Sequence, residues 1–217
     1  MIQLYTWKTP NGHKASIALE ELGLPYTTHP VDISANEQFA ADYLELNPNN
    51  KIPTIVDETG VDGRQAVFET GAILLYLADK QHALIARDGR RRQQALEWLF
   101  WSTSGLAPML GQWGSFAVRA KTPVPEAIDH FTKEAARLFG VLERRLEGHT
   151  YLAGDYSIAD ISAYTWTAAV LPRFRTRSPD ALGPTPKIDR WLAEIGARPA
   201  VQRGLRVPEA MLAEPAG

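Results

Sequence analysis

The 217-residue sequence predicts an α/β layer followed by an all-helical domain, and three patterns carry that prediction. In the first 80 residues, short alternating or β-branched runs are interleaved with runs at helical spacing. From residue 88 onward apolar residues recur at intervals of three and four. Between these regions residues 71–77 are apolar almost all round, so a helix there needs protein on two sides. A sheet would be one cover and a second, helical domain the other.

Ile2-Gln3-Leu4-Tyr5 alternates like a short strand. Thr9 before Pro10 fits an N-cap followed by proline at the first helical position, Ala15, Ala18, Leu19 and Leu22 keep helical spacing, and Gly23 fits the stop. Residues 26–31 are a second strand, weakened by Pro30, and residues 38–46 a short helix ended by Asn47-Pro48. Thr54-Ile55-Val56 opens a strand pair around Gly60 and Gly63, and a helix runs from Thr70 to Lys80. The resulting order, βαβαββα, is that of a thioredoxin-like layer. The expected division is residues 1–80 for this layer, 81–87 as linker, 88–207 for a helical bundle and 208–217 as a polar tail.

In the second region Leu96, Leu99, Phe100, Leu106 and Leu110 keep helical spacing, with a bend or break expected at Gly105 and Pro108. Residues 122–125 are a stop. Ile128, Phe131, Ala135, Leu138, Leu142 and Leu146 predict one long helix closed by Gly148. Ser157 and Asp160 have the spacing of a capping box, and two short helices follow residue 187.

A formal charge of −2 gives no reason to expect nucleic acid or an anionic membrane as partner. No apolar run is long enough to span a bilayer, and the first residues lack the pattern of a signal peptide, so a cytoplasmic protein is expected. The sequence has no cysteine, which excludes disulfides, thiolate metal sites and a protein thiol nucleophile. Any thiol chemistry must be carried by the substrate. The five histidines, at 13, 29, 82, 130 and 149, show no ligand spacing, and no metal is expected.

Two stretches point to a ligand. In Asn50-Lys51-Ile52-Pro53 the proline opens a strand, as at a sheet edge or in a cis turn, and leaves the Ile52 backbone able to pair with something extended. Glu69-Thr70 stands where a strand ends and an apolar helix begins, so a hydroxyl and unpaired helix N–H groups face an anion site. An extended molecule with a carboxylate at one end satisfies both. Thr9 admits two roles: a cap, or a hydroxyl that with the Asn11 N–H stabilises a bound thiolate at the positive end of a helix dipole. Tyr5 is a competing hydroxyl, placed by strand alternation as a packing residue as readily as a catalytic one.

These motifs, with Thr9-Pro10-Asn11-Gly12-His13-Lys14 and Tyr156-Ser157-Ile158-Ala159-Asp160-Ile161 in the same order, resemble those of the cytosolic glutathione transferases. The resemblance covers residues 2 to about 205 and is strongest to the bacterial Nu class, itself related to the globular domain of the yeast nitrogen-regulation prion protein. It implies that glutathione binds between the two domains of a homodimer and that its thiolate reduces small disulfides. Conjugation to an electrophile, or a non-catalytic binding module, are the alternatives.

By the same resemblance Thr9 and Asn11 approach the glutathione sulfur. Lys51 meets the glycine carboxylate, the Ile52-Pro53 backbone pairs with the cysteinyl unit, and Glu69-Thr70 holds the γ-glutamyl end, with Gln38 as a further ligand. Relatives reach across the dimer with an arginine early in the fifth helix; here His130 stands at that place, with Lys133 one turn on. Trp7 and Trp113 are candidates for the second-substrate pocket. Arg173, Arg175 and Arg177, read as a non-helical loop, are candidates to receive carboxylates of a second glutathione or an acidic substrate, Arg175 foremost.

Overall fold

The computed structural model describes residues 1–208. Its first unit comprises Met1–Ile85 and the segment returning from Ala197; its second is Ala86–Gly196. The tail expected at 208–217 lies, from residue 209 on, outside the described residues.

The first unit runs β1 (Ile2–Thr6), α1 (Pro10–Glu21), β2 (Tyr26–Pro30), α2 (Ala41–Leu46), β3 (Thr54–Gly60), β4 (Gly63–Phe68) and α3 (Thr70–Gln81). The sheet order is β2-β1-β3-β4, with β1 parallel to β2 and antiparallel to β3, and β3 antiparallel to β4. The order of elements along the chain is the βαβαββα the sequence predicts. Pro30 is tolerated because β2 is an edge strand and Pro30 is its last residue. Residues 38–46 are not one helix: a single 3-10 turn at Glu37–Phe39 precedes α2, broken by the extended Ala40.

Alternation along β1 buries Ile2, Leu4 and Thr6 and turns Tyr5 to the other face, where its ring stacks on His29 at 4.6 Å and meets Tyr43 of α2. Tyr5 is thus a packing residue. Helix α1 lies so close to the end of β1 that a Cβ on Gly12 would meet the Trp7 carbonyl oxygen at 2.0 Å. Only glycine fits there.

The helix α9 (Pro199–Gly204) packs on α1 and belongs to the first unit, which corrects the expectation that residues up to 207 are part of the helical bundle. The reason is a close fit. A Cβ on Gly204 would come within 2.7 Å of the Ile17 backbone, the Ser16 hydroxyl donates to the Gly204 carbonyl at 2.7 Å, and Arg198 and Arg203 pair with Glu21 and Glu20.

The second unit is helical: α4 (Gly89–Phe100), α5 (Ala107–Trp113), α6 (Pro125–Arg145), α7 (Ile158–Arg177) and α8 (Pro186–Gly196). At the expected bend near Gly105, and again after α5, the backbone widens into π-helical turns, Trp101–Leu106 and Gly114–Arg119. Hydroxyls of Thr103, Ser104 and Ser115 donate back to carbonyls of the preceding turn. Trp113, Phe139 and Phe174 form the aromatic centre of this unit, with ring centroids 5.1 and 5.3 Å apart.

Asp160 organises the second unit. It accepts from the Ser157 N–H as the capping box predicts, and also from the Ser157 hydroxyl, the Leu152 N–H and the Trp191 indole. Burial raises its carboxyl to about 6 against the opposing pull of these donors. None of the described helices is long and apolar enough to cross a membrane.

Candidate active site

The strand register gathers three of the predicted stretches at one end of the sheet. Tyr5 pairs with Thr54 and Thr54 with Phe68. The chain leaving β1 toward Thr9, the chain entering β3 through Ile52-Pro53, and the chain leaving β4 into Glu69-Thr70 are therefore neighbours.

Thr9 is the N-cap of α1: its hydroxyl oxygen accepts from the Gly12 N–H at 3.1 Å. A hydroxyl that accepts through a lone pair still has its proton to give, so the cap and a donor role are compatible at one atom. Asn11 is the second residue of the same helix, where the macrodipole is positive.

The Ile52–Pro53 peptide is cis, as the sequence predicts. The loop before it is held by residues that sequence reasoning missed. Buried Asn47 donates from its side-chain amide to the Lys51 carbonyl at 2.6 Å and to the Thr54 hydroxyl at 3.1 Å, and the Tyr43 hydroxyl donates to the same carbonyl at 2.8 Å. Ile52, its side chain packed with Val31, Tyr43 and Trp7, makes no backbone hydrogen bond to any described residue. Its N–H and C=O are left for a strand-like partner. The Lys51 side chain is exposed beside it.

Glu69 caps the turn from β4 into α3 with φ 68° and ψ 123°, a conformation that costs an L-residue on the order of 1–3 kcal/mol. Its carbonyl accepts from the Ile73 N–H, and its carboxylate accepts from the Asn49 amide at 3.2 Å. Thr70 is the first residue of α3, and its hydroxyl accepts from the Lys14 ammonium at 3.4 Å. Lys14 is a third residue whose role the sequence did not reveal. It is 1 % exposed, and burial pushes it down to about 7 against the raising effect of the Glu69 carboxylate.

Gln38, in the turn before α2, has a buried side-chain oxygen with no partner among the described residues. Trp7 borders the Ile52 cluster, with the Lys8 ammonium 5.9 Å from its ring. The remaining expected residues lie in the second unit. His130 and Lys133 are exposed on α6, the first edge-on to Phe131 and the second paired with Asp129 at 2.7 Å.

Two expectations are corrected there. Trp113 is 1 % exposed and packs on Phe174, so it is a core residue of its unit and not a pocket wall. Arg175 is not in a loop, because α7 continues through Pro172 to Arg177. Its guanidinium is bound to both oxygens of Asp189 at 2.9 Å and to the Thr185 hydroxyl, and is taken up in joining α7 to the start of α8.

In chemical terms the end of the sheet offers a hydroxyl at a helix N-terminus, an unpaired extended backbone and a second helix N-terminus with a buried cation behind it. No group of three or more histidine, aspartate or glutamate side chains able to hold a metal occurs among the described residues.

Comparison with known proteins agrees with this geometry. The family description "Glutathione S-transferase, N-terminal domain" matches residues 9–80, and "Glutathione S-transferase, C-terminal domain" matches residues 106–199. The chain is 43% identical over 208 residues to the disulfide-bond oxidoreductase YfcG of Escherichia coli K12, covering 94% of each chain. Among solved structures it is similar to a Burkholderia graminis glutathione transferase with two glutathione molecules bound per subunit. That likeness has a TM-score of 0.91 and 44% identity, with 96% of this chain and 88% of that one covered. It is also similar to a Pseudomonas putida glutathione transferase with one glutathione disulfide bound per subunit, at TM-score 0.91 and 40% identity, covering 95% of this chain and 91% of that one. In sequence and fold, this chain belongs to the glutathione S-transferase family.

Proposed function

We propose that the protein is an enzyme of the Nu type that uses bound glutathione, as its thiolate, to reduce small disulfides. The observation that carries this reading is the gathering of Thr9, the Ile52-Pro53 edge and Glu69-Thr70 at one end of a sheet, in a chain with no cysteine of its own. The ligand's cysteinyl unit pairs with the Ile52 backbone, its γ-glutamyl end meets Glu69-Thr70, and Lys51 and Gln38 serve its remaining polar groups. The sulfur then falls to Thr9 and Asn11.

The Thr9 hydroxyl donates to the thiolate and, with the α1 dipole, lowers the thiol's pKa. The thiolate attacks one sulfur of the disulfide, forming a mixed disulfide with glutathione and expelling the other half as thiolate. A second glutathione thiolate attacks the glutathione sulfur of that product, releasing glutathione disulfide and the second thiol. Two glutathiones supply the two electrons, and no protein-bound intermediate is formed. The glutathione disulfide in the Pseudomonas relative and the two glutathiones in the Burkholderia relative support this stoichiometry.

We read the enzyme as a cytoplasmic homodimer. The cytoplasmic setting follows from the need for a reduced glutathione pool. The dimer is supported by an open groove of about 650 Å³ lined largely by apolar side chains, among them Val61, Val67, Ala72, Leu75 and Tyr76. His130 and Lys133 are the residues we assign to a contact across that dimer.

Steady-state assays with hydroxyethyl disulfide and with a chlorodinitrobenzene-type electrophile test the reading, and disulfide reduction is expected to dominate. Conjugation uses the same thiolate and is the alternative. Conjugation without disulfide turnover would reverse the assignment.

A further inference from the structure

Lys14 is among the largest fully buried side chains of the protein and the one charged side chain in that group. It projects from α1 to the first residue of α3, with its ammonium 3.4 Å from the Thr70 hydroxyl oxygen. No carboxylate lies within ion-pair distance of it among the described residues, although Glu69, the residue before Thr70, acts on it through space. The other charges on the elements packed around it are committed elsewhere. Glu20 and Glu21 of α1 pair with Arg203 and Arg198 of α9, Lys80 at the far end of α3 pairs with Asp57 of β3, and Asp79 lies beside Lys80. His13 is its neighbour in α1, and β1 carries no charged residue.

A buried cation without a counter-ion is unfavourable, and it persists where something completes it. The Thr70 corner is where an anion would do so, because α3 begins there, with the unpaired N–H groups of its first turn and the Thr70 hydroxyl at the same helix end. We propose that Lys14 is a positioning residue, the buried counter-charge for a carboxylate docking on Thr70, and that its amine completes its protonation from solvent as that carboxylate arrives. Burial, opposed by the Glu69 carboxylate, holds the group near its titration point at neutral pH, with a pKa of about 7. An anion close by raises that value, so the amine converts to ammonium on binding. The carboxylate in question is the one on the γ-glutamyl unit, and the inference rests on the glutathione reading above. It adds a specificity element: the site selects for that carboxylate through a charge the ligand never touches.

The sign follows from linkage. A ligand whose binding takes up a proton binds more weakly as pH rises, by up to about tenfold per unit between the free and bound pKa values. Thiol ionisation on binding releases a proton and would mask the effect, so the probe is S-methylglutathione, which has no thiol.

Isothermal titration calorimetry of the wild-type protein at pH 8, in buffers of different ionisation enthalpy, should show an uptake of about 0.5–0.9 proton per site. Affinity should fall between pH 7 and 8.5. Lys14→Met should bind more weakly, with no Lys14-linked uptake and a flat pH profile. Lys14→Arg, which keeps its charge throughout, should also show no uptake while recovering part of the affinity. S-methylglutathione binding to wild type without proton uptake, or with the same uptake in Lys14→Met, overturns the assignment and leaves the glutathione reading standing. Failure of S-methylglutathione to bind wild type at all overturns both.

Discussion

The side-chain amide of Asn47 holds Lys51 by its carbonyl and Thr54 by its hydroxyl, so that the Ile52–Pro53 peptide is spanned from both sides by one buried residue. Asn47→Ala leaves the Lys51 carbonyl with the Tyr43 hydroxyl alone and should cost about 1–3 kcal/mol of stability. The strand edge offered by Ile52 should loosen with it. The expected result is a lower Tm together with a raised KM for glutathione and a kcat closer to wild type. A KM unchanged in the face of a lowered Tm would confine Asn47 to folding.

Thr9 combines cap and donor, and the two can be separated. Thr9→Ala should lose about 0.5–2 kcal/mol as a cap. It should also lower disulfide reductase kcat/KM on the order of 10²-fold and raise the pH midpoint of the bound thiol. Thr9→Ser should stay near wild type in all three. A Thr9→Ala protein with reduced Tm but an unchanged thiol titration, followed by ultraviolet absorbance of the thiolate, would leave only the cap.

Asp57 gives the first unit a defined acid sensitivity. Burial would raise its carboxyl, but the Lys80 ammonium at 2.7 Å, the Thr59 N–H and hydroxyl and the Tyr76 hydroxyl at 2.8 Å outweigh that and hold it at about 2. The folded state therefore favours the ionised form. Its contribution is complete above the ordinary value of 3.8 and is lost as pH falls toward about 2. Tyr76→Phe should cost about 1–3 kcal/mol at neutral pH and move the acid-unfolding midpoint, read by circular dichroism, upward.

Lys14 gives a slope of the same sign in a higher pH window. With a folded value near 7 against an ordinary 10.5, the unfolded chain holds more protons between those limits. The ligand-free protein should thus gain stability from this group as pH rises through that window. Lys14→Met should flatten the dependence and stabilise the ligand-free protein at pH 7, by about 1–4 kcal/mol if it behaves like other buried charges replaced by apolar residues. Urea titrations at a series of pH values check both.

Where a local pattern and its physical cause coincide, the sequence was readable. The cap at Thr9, the cis Ile52–Pro53 peptide, the entry to α3 at Thr70 and the Ser157–Asp160 box are each set by residues within three or four positions of one another. What was not readable depends on distant partners. Periodicity shows that residues 199–204 have an apolar face but not that Ile17 is what they meet. A proline inside a helix removes a hydrogen bond and commonly breaks it, yet α7 runs on for five residues past Pro172 to Arg177, so Arg173, Arg175 and Arg177 lie in helix and not in the expected loop. Lys14 sits among helical residues like any solvated lysine; nothing within a turn of it signals that its ammonium is buried against a residue 56 positions away.

The packing of α9 on α1 bears on the order in which the chain can complete itself. Helix α1 begins directly after the residue that caps it, Thr9, and one flank of that helix, at Ser16 and Ile17, is closed by Gly204. On a ribosome the strands and helices of residues 1–81 emerge long before Gly204 does, and the whole helical unit is synthesised in between. The first unit must wait with Ile17 uncovered until Gly204 has been made, a long-range closure of the kind that slows folding. Glutathione-binding competence should accordingly appear only once Gly204 has been made, and a chain stopped after residue 196 should hold every residue assigned to the ligand while leaving the helix that bears Thr9 and Lys14 unsupported.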